Sequence, residues 1–498
     1  MLIKRTDVLF YALPLLFVIL YFPIFYSDYA YSDEVYALWH NDDKTNYSAT
    51  QGRLLSGLIF HFFYSSISRI AELKLLRLFS WFGWIITTIV WTYILKKWVK
   101  LLRLPGEIHS IGALYFVCSI SVCVYIGWAA CMQIFLGTCA GLASGHLLFA
   151  GLVNQKDEIH LSNRRMVSSL VLAMISLFIY QNSFGIFLIP FFLYYVQARK
   201  ARPEKVVLLG VTFYLLMYVV YYFLFKYCLN FYHLEASDRA EIQFNLLKKL
   251  SFFFSGPFPQ GFSMNLLFSA SSIFSQIFYP VVFAVWVILV FKGNTHQAIR
   301  ANVFFVAFIL LLLALIYLPS MAAAENFPSY RTLFAFNLAV FIAVVESLLF
   351  AFQRQASRRI FTIAMGLWLL CTSFYAFNFQ FINPLKREFG VLQSFIRSNY
   401  HPGINKVYFI RADKFLFTNA FHTRVYRDEL GAPSTYRDWV PEPITKQLIF
   451  ELTKSRNVAK DINVVQFENV QQFRQSSPVL DSNSIVLDMN ELFKSSNY

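Results

Sequence analysis

The sequence predicts an α-helical polytopic membrane protein that ends in a small α/β domain. Three observations predict it: apolar runs long enough to cross a bilayer, cations gathered in alternate loops, and a water-soluble pattern from about residue 386 onward. Of 498 residues, 57% are hydrophobic, 14% are charged and 56 are phenylalanine. Soluble domains carry about 25% charged residues, whereas a bilayer core about 30 Å thick asks for roughly 20 apolar residues per crossing helix. A net charge of +15 would suggest nucleic acid as the partner of a soluble chain. In a membrane chain it is the expected excess of Lys and Arg in cytoplasmic loops, so no nucleic-acid partner is expected.

The elements follow in order. The first apolar run, 8–26, lacks a small-residue cleavage site and reads as a span, not a removed signal. Further spans are expected at 79–95, 108–127, 131–153, 166–180, 183–197, 206–229, 270–291, 301–319, 332–352 and 359–380, about eleven in all. With that count one side receives Lys4 and Arg5; Lys96, Lys97, Lys100 and Arg103; Lys156, Arg164 and Arg165; Arg199, Lys200, Arg202 and Lys205; Lys292 and Arg300; and Arg354, Arg358 and Arg359. That side is the cytoplasm. The other side holds 27–78, 231–269, 320–331 and the tail after 381. The apolar stretch Leu54 to Ile67 is short, about 14 residues, which suits an interfacial or re-entrant helix better than a span. Read as a span, it would place the cations at 96–103 outside. Arg69, Lys74 and Arg77 weigh against this choice, because it leaves them outside.

Gly137, Gly141 and Gly145 recur at helical spacing, which lets another helix pack backbone to backbone. His146 beside them reads as a satisfied interior histidine. Cys118, Cys123, Cys131, Cys139, Cys228 and Cys371 fall in or beside apolar runs and read as packing residues. Beyond the membrane region, 1–385, the domain 386–498 should contain a helix at 385–400, a strand at Lys406–Arg411, a helix at 442–455, and strands at 462–467 and 484–488.

Chemistry concentrates in the outer loop 27–78. Asp33, Glu34, Asp42 and Asp43 crowd a short segment rich in aromatics, and Gly52-Arg53 follows. Such a loop can simply be solvated, but an Arg aimed back at the membrane surface favours a site. A carboxylate against an apolar wall can act as a general base, and a guanidinium suits bidentate capture of phosphate. Arg331 opens a span on the side where cations are disfavoured. It either snorkels to headgroups or meets an anionic ligand. Glu325 and Tyr330 share its segment, and Tyr180-Gln181-Asn182-Ser183 makes a tight polar turn on the same side. No His, Cys or Asp group has metal-ligand spacing, so neither metal nor cofactor is expected.

Together, Tyr31-Ser32-Asp33-Glu34 after the first span, Gly52-Arg53 before an apolar helix, Tyr180-Gln181, and Ser329-Tyr330-Arg331-Thr332 before a late span resemble one family. It is the phage-type O-antigen glucosyltransferases of type II (Gtr), within the GT-C class of membrane glycosyltransferases. The resemblance covers the layout of the whole chain through short motifs. It implies a GT-C-like fold in the bacterial inner membrane and transfer of a sugar, glucose, from undecaprenyl phosphate to a lipid-linked polysaccharide on the periplasmic face. It also implies O-antigen modification of lipopolysaccharide, and flippase and donor-synthase partners. In this light Asp33, Glu34, Asp42 and Asp43 are the candidate bases, with Asp33 favoured. Arg53 and Arg331 are the candidate phosphate contacts, and Tyr31, Tyr36, Gln181, Glu325 and Tyr330 the candidate substrate contacts. The family usually carries two aspartates where this chain has Asp33-Glu34, and lacks a clear counterpart of Asp42-Asp43.

Two rivals remain. A lipid-linked oligosaccharide flippase should carry ionisable residues or Gly/Pro breaks at mid-membrane. Here most charges sit at span ends, and Glu346 lies near the inner boundary. An O-antigen polymerase or ligase would use a large late loop, which 231–269 leaves open.

Overall fold

The computed structural model describes residues 5–40, 48–153, 163–197, 204–237, 241–242, 245–293, 299–421, 423–427 and 429–495. The fold is mostly helix, as it must be where lipid offers no partner to backbone N–H and C=O groups. Eight described helices are long and apolar enough to cross a membrane: Ile70–Leu101, Glu107–Gly127, Ala129–Leu152, Glu204–Phe231, Ile273–Gly293, Ile299–Ile316, Phe334–Ala351 and Gln355–Asn399. The chain is a multi-pass membrane protein.

These helices coincide with eight of the eleven expected spans. The other three fall on shorter or irregular pieces. The run at 8–26 becomes a helix Arg5–Tyr21 that tightens into a 3-10 turn at Phe22–Phe25, where Pro23 removes a backbone donor. The run at 166–180 becomes the helix Asn163–Ile179. The run at 183–197 starts as a 3-10 stretch, Gln181–Leu188, and turns into α-helix only at Ile189–Gln197. The Gly137, Gly141 and Gly145 face packs against these last two pieces, as the spacing predicts. Ser176 Oγ donates to Gly137 O at 2.7 Å. A Cβ at Gly145 would run into the Phe187 backbone.

Burial sorts the helices. Phe334–Ala351 is enclosed along most of its length, whereas Glu204–Phe231 and Ile273–Gly293 turn most of their apolar side chains outward. Leu54–Tyr64 is a separate short helix, with Leu58 and Phe62 exposed. Leu246–Ser255 presents Leu246, Leu247, Leu250 and Phe254 outward and is capped by Asn245, whose Oδ1 accepts from Lys248 N at 3.0 Å. Short helices with outward apolar faces suit the membrane interface.

The region after Asn399 holds three parallel strands in the order β2-β1-β3: β1 Lys406–Ile410, β2 Asn463–Phe467 and β3 Ser484–Asp488. Parallel neighbours need crossovers, supplied here by the helices Pro441–Thr453 and Val470–Gln475. All five expected elements of this region are present within a residue or two. Val407, Phe409 and Leu487 belong to the same continuous apolar core as the spans, whereas Tyr408, Ile410 and Phe467 form a small second cluster.

Candidate functional site

One end of the helical bundle encloses a cavity of about 720 Å³, within the usual range for small-molecule sites. Asp33, Arg53, Gln181, Glu325 and Arg331 all line it, although they come from four separate stretches of chain.

Asp33 reaches the cavity through a strained turn. Glu34 N donates to Tyr31 O at 3.1 Å, closing a turn with Ser32 at its first central position. Ser32 has φ 50° and ψ −115°, a conformation that favours glycine. Ser32 N is pinned by Ser434 Oγ at 2.7 Å, and Ser32 Oγ donates to Asp33 Oδ1 at 2.8 Å. The turn sends the two acidic neighbours different ways. Asp33 lines the cavity, while Glu34 is fully buried.

Glu34 accepts from Arg77 Nη2 at 2.5 Å, from Tyr31 N at 2.8 Å and from Ala129 N. Burial pushes its carboxyl up, against the pull of Arg77 and the two backbone donors. Arg77 is itself enclosed. It donates to Gly127 O at 3.0 Å and Tyr29 O at 2.9 Å, with its guanidinium 3.6 Å from the Tyr29 ring centre. Glu34 therefore leaves the set of candidate bases, because its acceptors point into the protein and are engaged there. Arg77, which looked like a cation on the wrong side, is the buried counter-charge of this pair.

Three expected substrate contacts also sit off the cavity. Tyr31 is buried beneath it, with its ring edge-on to Trp128 at 5.0 Å and its hydroxyl accepting from Arg437 Nη2 at 2.9 Å. Tyr330 is buried, and its hydroxyl accepts from Phe268 N at 3.1 Å. Tyr36 packs on His40 with ring centres 4.6 Å apart, and it is absent from the cavity wall. Tyr31 and Tyr330 serve as framework, while Tyr36 is exposed. Asp42 and Asp43 lie outside the described residues.

Arg53 is aimed by its neighbours. Gly52 adopts φ +77°, and a Cβ there would strike the Tyr221 hydroxyl. That hydroxyl donates to Gly52 O at 2.9 Å. Gln181 Nε2 donates to Gln51 O at 2.8 Å and to Tyr221 Oη at 2.7 Å, leaving Gln181 Oε1 to accept from Arg53 Nε at 3.2 Å. The Arg53 guanidinium lies 4.7 Å from the Tyr180 ring centre. The polar turn thus holds the arginine in place.

Arg331 Nε donates to Glu429 Oε1 at 2.7 Å, and its guanidinium lies 4.1 Å from the Trp128 ring centre. Glu429 Oε2 accepts from Tyr330 N at 2.5 Å. Burial works against the charge on Arg331, but Glu429 outweighs it and holds the guanidinium above its ordinary pKa. Arg53 and Arg331 both lie within Coulombic reach of Tyr180, and Asp33 within reach of Arg331 and Arg437.

The residues that the sequence did not flag come mainly from 423–440. Arg427, Glu429, Tyr436, Arg437 and Trp439 all line the cavity. This strap is fastened by the buried Glu388, which accepts from Ser434 N and Thr435 N at 2.8 Å each and from Thr435 Oγ1 at 2.5 Å. The available signal was a Pro, Gly and aromatic-rich stretch carrying arginines, with neither helical nor strand periodicity. Glu241, from the loop after Phe231, also joins the wall, and its carbonyl accepts from Ala324 N at 2.8 Å. Among the described residues no group of three or more His, Cys, Asp or Glu side chains converges as a metal site.

No family model matches the chain. No curated protein and no solved structure matches it either. The functional reading rests on this geometry and on the short motifs.

The cavity combines four carboxylates (Asp33, Glu241, Glu325 and Glu429), four guanidinium groups and a lateral apolar border. Val219 and Phe223 belong to its wall and are also 50% and 68% exposed on the flank of the Glu204–Phe231 helix. The polar interior therefore meets the surface that lipid would cover.

Proposed function

We propose that the chain is a membrane glycosyltransferase of GT-C type. It would move a sugar, glucose by the motif resemblance, from a polyprenyl-phosphate donor to a lipid-linked polysaccharide of O-antigen type. The observation that carries this reading is the sideways continuity of the cavity, from Asp33, Arg53 and Arg331 to the lipid-facing Val219 and Phe223. A polyprenyl phosphate cannot leave the bilayer, so its enzyme needs a charged site reachable from the membrane flank. In the arrangement we favour, about eleven segments cross the inner membrane, the N-terminus is cytoplasmic, and the cavity and the α/β region face the periplasm.

In this reading Asp33 takes the proton of the acceptor hydroxyl as its oxygen attacks the anomeric carbon. The bond from that carbon to the phosphate oxygen breaks, and the electron pair leaves with the phosphate. Arg53 and Arg331 stabilise the negative charge that develops there. The buried Glu34–Arg77 pair holds the turn that aims Asp33. The test is transfer by membranes containing the protein, assayed with a panel of radiolabelled polyprenyl-phosphate sugars. Transfer of one sugar by the wild type and none by Asp33→Asn supports the reading. No transfer from any donor, alongside movement of lipid-linked oligosaccharide across the bilayer, would replace it with a flippase.

A further inference from the structure

Arg427 is a cavity cation for which this mechanism has no use. Its backbone adopts φ 54°, a left-handed conformation that is unfavourable for a non-glycine residue. Its Nη2 is buried, and among the described residues no acceptor meets it. Its guanidinium lies 5.7 Å from the Phe268 ring centre. The other arginines of the wall are each satisfied at least in part. Arg331 holds Glu429, Arg437 holds Tyr31 and Pro433 O, and Arg53 holds Gln181.

A half-enclosed guanidinium without an acceptor is expensive. Burial lowers the pKa of Arg427, and the nearby Glu429 offsets this only in part. Glu429 is already held by Arg331 and Tyr330 N. A second donor of the wall, Trp128 Nε1, is likewise buried without a partner among the described residues. Two N–H donors of wall residues thus meet no acceptor among the described residues, and a small side-chain turn would bring them to an anionic oxygen in the cavity. The strap that carries Arg427 is braced against the body. Gly431 N donates to Gln380 O at 2.8 Å, and Tyr426 N to Leu430 O at 2.8 Å. An arginine on a braced backbone, with an Nη2 group that meets no acceptor among the described residues, is set up to meet something from outside the chain.

We infer that Arg427 is a second anion-binding point of this cavity, taking a phosphate oxygen of a lipid-linked substrate independently of Arg53. Arg53 is fixed by Tyr180 and Gln181, whereas Arg427 lies against Phe268. This rests on the glycosyltransferase reading, in which both donor and acceptor arrive on lipid. The phosphate could belong to either one, and the two sources are separable.

The test uses the full chain in lipid nanodiscs and measures binding of undecaprenyl phosphate, undecaprenyl pyrophosphate and undecaprenol. Wild type should bind both phosphorylated lipids more tightly than undecaprenol. Arg427→Gln should weaken at least one of them by about ten- to a hundredfold, leave undecaprenol unchanged, and leave the melting temperature unchanged or higher. Arg427→Lys should recover only part of the affinity, because a point charge lacks the fork. A loss confined to the pyrophosphate assigns Arg427 to the second substrate, and an equal loss for both lipids assigns it to the donor headgroup. Unchanged affinities in Arg427→Gln beside tight wild-type binding overturn this inference alone. If the wild type binds neither phosphate better than undecaprenol, the glycosyltransferase reading falls and takes the inference with it.

Discussion

Arg331 and Glu429 meet across 98 positions of sequence, with Nε to Oε1 at 2.7 Å. The contact ties the approach to a late span to the strap that follows the first strand of the α/β region. Glu429 is nearly enclosed, while Arg331 keeps 28% of its side chain exposed toward the cavity. The carboxylate thus fixes one edge of the guanidinium and leaves the rest for a ligand. Glu429→Gln should leave Arg331 in place but less firmly held, lowering stability by about 1–3 kcal/mol and transfer along with it. A melting curve and a rate measured on the same preparation check this. Unchanged values for both would mean that the pair is decorative. Arg331→Lys should impair transfer although it keeps the charge, because a lysine cannot hold Glu429 through Nε and face a phosphate at once.

Arg77 and Glu34 form the other pair, and both are fully enclosed. Removing one partner of a buried pair strands the other charge, which typically costs about 3–5 kcal/mol. Glu34→Gln and Arg77→Met should therefore lower the melting temperature and the membrane abundance sharply. Asp33→Asn should do neither. Equal stability losses at positions 33 and 34 would contradict the division of labour between them.

Gly52 should resist even a methyl group. Its φ of +77° and the Tyr221 hydroxyl at its missing Cβ are separate obstacles. Gly52→Ala should destabilise by roughly 1–3 kcal/mol and impair transfer by displacing Arg53. The double variant Gly52→Ala/Tyr221→Phe should regain only part of the loss, since removing the hydroxyl relieves the collision and not the backbone. Full recovery would show that the backbone conformation contributes nothing.

The orientation can be read with a single thiol. Ser477 is exposed in the α/β region, and Lys100 is exposed at the end of the Ile70–Leu101 helix. Ser477→Cys should react with an impermeant maleimide in intact cells, and Lys100→Cys only after permeabilisation. The reverse pattern would invert the topology and move the cavity to the cytoplasm.

Where the sequence was informative, it was so because a residue broke a local rule. In the expected topology Arg331 falls on the side that disfavours cations, Gln181 lies between two apolar runs, and Arg53 follows an acidic loop; the fold brings all three to one cavity. The separation of Asp33 from Glu34 was not legible. It depends on the φ of Ser32 and on Arg77 being enclosed, and neither leaves a trace in composition. The strap at 423–440 was missed for a related reason: it has no periodicity, and it reaches the cavity only because Glu388, far back in the chain, holds Ser434 and Thr435. The 3-10 stretch Gln181–Leu188 reads as a polar turn followed by ordinary span from residue 183, because Phe184 to Leu188 carry no polar side chain. There the Phe187 backbone packs close against Gly145, a tertiary contact that composition does not reveal.

The base is the most exposed of these claims to test. Asp33 lines the cavity, has Arg331 and Arg437 within Coulombic reach, and is presented by a turn whose strained Ser32 is pinned by Ser434. Glu34 cannot share the role without giving up Arg77 and two backbone donors. A lost general base lowers rate by roughly 10²–10⁴-fold and leaves ground-state binding largely intact. Asp33→Asn is nearly isosteric and keeps an oxygen to accept from Ser32 Oγ, so it should insert, melt and bind polyprenyl phosphate like the wild type while single-turnover transfer collapses. Glu34→Gln should lose rate only in proportion to folded protein. Asp42→Asn and Asp43→Asn, measured at equal membrane abundance, complete the comparison. Near-normal transfer by Asp33→Asn beside a dead Asp42 or Asp43 variant would move the base along the outer loop. Normal transfer by all four would remove proton abstraction from this loop altogether and move the base to another carboxylate of the wall, Glu241 or Glu325.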